Sequence, residues 1–153
     1  MKQALGMAIL LAAIGTFFQA YGFSIDGIKP NLALISIAVG SLLVTRIEEG
    51  MLIVALTTGI LKFAPSPGKD LMVFASIGVG IILLRKFLPW HNSINIIGII
   101  SLGTTAFYAL LAPHLITQSL FIKEIIINNV IGIILFVITT NLWHNEGNNS
   151  RAR

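Results

Sequence analysis

The chain contains no cysteine. That excludes disulfides, iron–sulfur clusters and thiolate metal sites, and it leaves the compartment open. Charge is scarce too. Only 10% of the 153 residues are charged, against 56% apolar, and the mean hydropathy is +0.91. A soluble domain carries about 25% charged residues, so this chain lacks the polar surface that coats a water-soluble globule. Catalytic motifs are missing as well. There is no phosphate-binding Walker loop, no His-Glu-x-x-His pair and no nucleophile elbow. With no acid, base, nucleophile or metal site to name, an enzyme is the least expected class, and no cofactor or metal is expected.

What charge there is sits in small groups between apolar runs, the pattern of a chain that threads a membrane. The formal charge is +4 and the pI is about 9.8. A basic pI can mark a nucleic-acid binder. Here the ten Lys and Arg residues are scattered over loop positions, without a basic helix face. They read as loop charge facing anionic lipid, so membrane lipid is the expected partner and nucleic acid is not.

A membrane-spanning helix needs about 20 mostly apolar residues. The first candidate covers residues 4–21. Met1-Lys2-Gln3 ahead of it imitates a signal peptide, but equally apolar segments follow and no small-x-small site ends the run, so a retained helix is expected. A turn over residues 22–27 closes it. The second run, 30–44, starts with Pro30 at a first helical turn and is closed by the charged cluster 45–50. The third, 51–61, reaches spanning length only with Ile47 and Phe63 included and its flanking charges snorkelling. Pro65, Pro67 and Gly68 break the chain after it. The fourth run covers 71–84 and stops at Arg85-Lys86. The fifth covers 94–112 and ends at Pro113-His114. The sixth covers 120–143. Continuous rather than alternating runs argue against a membrane β-barrel. The expectation is an all-α integral membrane protein, a bundle of six transmembrane helices, some short or irregular, over residues 1–143. A polar cytoplasmic tail, 144–153, is expected to fray.

Six spans put both termini on one side. One side then holds Lys2, Arg46, Arg85, Lys86, Arg151 and Arg153; the other holds Lys29, Lys62, Lys69 and Lys123. The richer side is cytoplasmic by the positive-inside rule, which places the termini inside, in a cytoplasmic (inner) membrane.

Few residues carry chemistry. His114 falls on the opposite side from His91 and His144, so a shared metal site is not expected. Asp26 and Asp70 both lie near the outer face. Asp70 reads as the cap of the fourth helix, and Asp26 as a solvated loop residue. Lys123 and Glu124 open the sixth helix, with Asn128 and Asn129 one turn later. Glu124 and Asn128, at i and i+4, share one face. That face either points into the bundle or toward a partner as a functional polar site, or it holds headgroup-level charges and an asparagine bonded to a neighbouring helix. Ala4, Ala8, Ala12, Thr16 and Ala20 form a small-residue stripe that allows close helix approach, within the chain or against another subunit. Gln19 reads as an interhelical hydrogen-bonder, and Gly78, Gly80 and Gly98 as close-contact points.

The order of these features resembles the MreD family, the small membrane subunit of the bacterial cell-elongation machinery. Gln19 and the string Gly27-Ile28-Lys29-Pro30-Asn31-Leu32-Ala33-Leu34 look like that family's lead into its second helix. Glu49-Gly50, Gly59, Pro67-Gly68, Gly78 and Arg85 follow in a similar order, and Glu124, Asn128, Gly132, Leu135 and Phe136 look like its closing helix. Lys62 stands where an acidic residue is usual, and Gly132 where a proline is common. The resemblance implies a non-enzymatic scaffold in rod-shape and peptidoglycan synthesis. It implies as partners an MreC-like protein with one membrane helix and a periplasmic coiled coil, and the cell-wall synthesis enzymes. The chain also resembles the substrate-binding component of energy-coupling factor vitamin transporters, through six helices and the Ala4, Ala8, Ala12 stripe. Trp90, His91 and Asn92 are a polar group, but on the predicted cytoplasmic side, where an uptake ligand does not first bind.

Overall fold

A computed structural model describes residues 2–63, 70–88 and 92–149. Among them the chain forms six α-helices and no strand: α1 (Lys2–Ala20), α2 (Leu32–Leu43), α3 (Ile47–Lys62), α4 (Asp70–Leu84), α5 (Asn92–Leu111) and α6 (Ser119–Asn149). Single 3₁₀ turns, Arg85–Phe87 and Pro113–Leu115, follow α4 and α5. The proline break at Pro65 and Pro67, and the pair Trp90 and His91, lie outside the described residues.

Several boundaries differ from the sequence reading, each for a local reason. Pro30 does not open α2; Asn31 does, its side chain accepting the Leu34 N–H. A side-chain acceptor at this position satisfies a donor that the helix itself leaves free. α3 starts at Ile47 rather than at Met51, with Glu48 and Glu49 in its first turn. Carboxylates there complement the positive end of the helix dipole, so the charged cluster opens the third helix instead of closing the second. α6 continues past Trp143 to Asn149. The residues read as the start of a frayed tail are helical, because no proline interrupts them and the one glycine, Gly147, costs only about 1 kcal/mol.

α1, α5 and α6 are long and apolar enough to cross a membrane, with apolar stretches Gln3–Ala20, Ile94–Leu111 and Ser119–Leu142. This points to a membrane protein. α2 is different. Its 12 residues rise only about 18 Å, well short of a hydrocarbon core of about 30 Å. It packs against all five other helices, and these close a ring around it in the order α1, α3, α4, α5, α6. Every residue from Leu32 to Ser41 is buried. A helix apolar on all sides belongs in such an interior.

Small residues let the ring close on α2. A Cβ on Gly40 of α2 would lie 3.5 Å from the Ala8 Cβ and 3.2 Å from Ile53 Cδ1. A Cβ on Gly78 of α4 would lie 3.1 Å from Val54 of α3 and 3.2 Å from Ile37. Gly132 of α6 faces Ile100 with no room for a side chain. In lipid this closeness matters more than apolar burial itself, since acyl chains are as apolar as leucine and helices gain mainly by packing and hydrogen bonds.

Candidate functional site

A helix that ends inside a membrane bundle leaves backbone donors and acceptors that no water reaches, and each unsatisfied group there costs several kcal/mol. Both ends of α2 meet this demand with side chains, most of them from other parts of the chain.

At the N-terminal end, Gln19 Oε1 on α1 accepts the Ala33 N–H at 2.7 Å. Asn31 Oδ1 accepts the Leu34 N–H at 3.1 Å. The N–H of Asn31 itself donates to Asn128 Oδ1 on α6 at 3.0 Å. Asn128 is fully buried, and its Nδ2 donates to Thr104 Oγ1 on α5 at 3.1 Å. One asparagine thus ties together α2, α5 and α6. A turn before it, Glu124 is only 7% exposed and accepts the Tyr108 hydroxyl of α5. The Tyr108 ring packs edge-on against Phe121 at 5.3 Å. Beside this group, Asn129 Nδ2 donates to Ser101 Oγ at 2.9 Å.

At the C-terminal end, Arg85 supplies the donors. Its Nη1 donates to the Ser41 and Val44 carbonyls, the latter at 2.7 Å, and its Nη2 donates to the Thr45 carbonyl at 3.0 Å. A planar guanidinium with five donors suits three carbonyls pointing to one spot. Partial burial lowers the Arg85 pKa and nearby Glu49 raises it again; the group is a cation in either case.

The residues singled out by sequence fall into two groups. Ala4, Ala8 and Ala12 are 4%, 0% and 0% exposed, packed inside the chain with Thr16, so this stripe is not an open surface for another subunit. Gln19, Asn128 and Glu124 gather near the N-terminal end of α2. Lys123, adjacent to Glu124, is exposed. Asp26 is exposed in a tight turn, where Ile25 and Ile28 exchange backbone hydrogen bonds of 2.8 and 2.9 Å. Asp26 and Gly27 both have positive φ, 49° and 78°, the signature of a type I′ turn. Asp70 is the first residue of α4, and its side chain lies outside the described residues. His114 is exposed in the second 3₁₀ turn; His91 and the side chain of His144 also lie outside the described residues. Among the described residues no three His, Asp or Glu side chains group as metal ligands. The capping role of Arg85 and the contributions of Thr104 and Tyr108 were not anticipated. Thr104 and Tyr108 do carry a signal, a polar pair at i and i+4 within an apolar run.

Among the described residues, apolar clefts lie on the outside of the bundle. One of about 410 Å³ runs between α4 and α5, lined by Ile77, Gly80, Ile99 and Leu102. Two of about 560 and 350 Å³ follow the seam of α1 and α6 and share Leu11, Ile14 and Leu135. None of Gln19, Asn31, Arg85, Glu124 or Asn128 lines any of them. The arrangement fixes backbone ends and helix positions. In comparisons with known proteins, the chain matches no family model, no curated protein and no solved structure.

Proposed function

We propose that this chain is a non-enzymatic scaffold subunit of the bacterial cell-elongation complex, embedded in the cytoplasmic membrane. The observation that carries the reading is where the buried polar side chains go. Gln19, Asn31, Arg85 and Asn128 bond to the backbone around α2, and Glu124 to Tyr108, while the clefts are lined almost wholly by apolar side chains. A vitamin-type transporter component, the second reading, needs convergent polar groups open to a ligand. Four residues that carry the MreD resemblance, Gln19, Asn31, Arg85 and Asn128, are also ones that hold α2. On this reading the partners are an MreC-like single-span protein and the peptidoglycan synthesis enzymes.

The test is co-purification in mild detergent. An MreC-like partner supports the scaffold; an ATPase pair with a transmembrane coupling subunit, or a small molecule retained stoichiometrically between the helices, overturns it. The same reading takes the chain across the bilayer six times, with the short α2 crossing only together with its flanking residues, and puts both termini in the cytoplasm on the strength of the lysine and arginine bias. A reporter active only outside the cytoplasm is expected to work when fused near Ser66 and to be silent after Arg153. The reverse pattern refutes the orientation.

A further inference from the structure

We draw no further inference here: the strongest candidate, the apolar groove that follows the seam of α1 and α6 from Gln3 to Phe23, is an unpartnered face on the outside of the bundle, and nothing in the structure shows what covers it.

Discussion

Replacing Arg85 with leucine removes the guanidinium donors that reach the C-terminal end of α2. Three carbonyls lose a partner: Ser41, Val44 and Thr45. Thr45 is exposed, so water replaces that bond. Ser41 and Val44 are buried, and among the described residues no other side chain donates to their carbonyls. Hydrogen bonds from a charged donor are worth about 1.5–3 kcal/mol each, so the two buried ones together make a loss of about 3–6 kcal/mol. At roughly 2–4 °C per kcal/mol for a chain of this size, the unfolding midpoint should drop by at least about 6 °C. Arg85→Lys keeps the charge but not the planar fork, and it should fall between the parent and Arg85→Leu. Thermal unfolding of the three proteins in one detergent is the assay. A leucine variant that unfolds within about 2 °C of the parent would refute the reasoning, since it would mean that water already serves those carbonyls.

Asn128→Leu should expose the other end of α2: the Asn31 N–H loses its acceptor, and amide exchange there should accelerate by at least about tenfold, whereas Asn128→Asp, which keeps an acceptor oxygen, should lose less protection. A further contrast tests the close packing. Gly132→Ala should destabilise by about 1–3 kcal/mol because its Cβ runs into Ile100, while Gly80→Ala, with nothing within 4 Å of the added carbon, should be neutral or stabilise by up to about 1 kcal/mol through helix propensity; equal effects at the two sites on the unfolding midpoint would count against the packing described.

Much of the helical layout was legible in the chain. Apolar run length located all six helices, and the four-residue alanine spacing marked the α1 face that turns out to be buried. The hydrogen-bonded partners were not legible, for reasons of distance. Asn31 and Asn128 stand 97 residues apart, and Arg85 lies 41 residues from Val44, so no local spacing connects them. The central place of α2 was missed for another reason. Its run looked like any other span, and the feature that sets it apart is uniformity: no charged and no aromatic residue occurs from Leu32 to Leu43. Such a helix offers neither an interfacial anchor nor a polar face, so it is suited to being enclosed by others. Asn31 was the exception in being locally readable, as an acceptor three residues ahead of the N–H it caps.

The enclosed second helix also ties the maturation of this protein to the order of its synthesis. Gln19 is made before α2 and can serve Ala33 as soon as the two helices meet. Arg85 arrives only with the end of α4, and Asn128 only with α6. Until then a short nascent segment has open backbone groups at both ends and too little length to rest across lipid alone. The folded pairing of these groups is complete only once the remaining chain has been translated. A product cut short before α6 therefore retains an unfinished interior and not merely a missing wall, which makes it a natural target for membrane proteolysis.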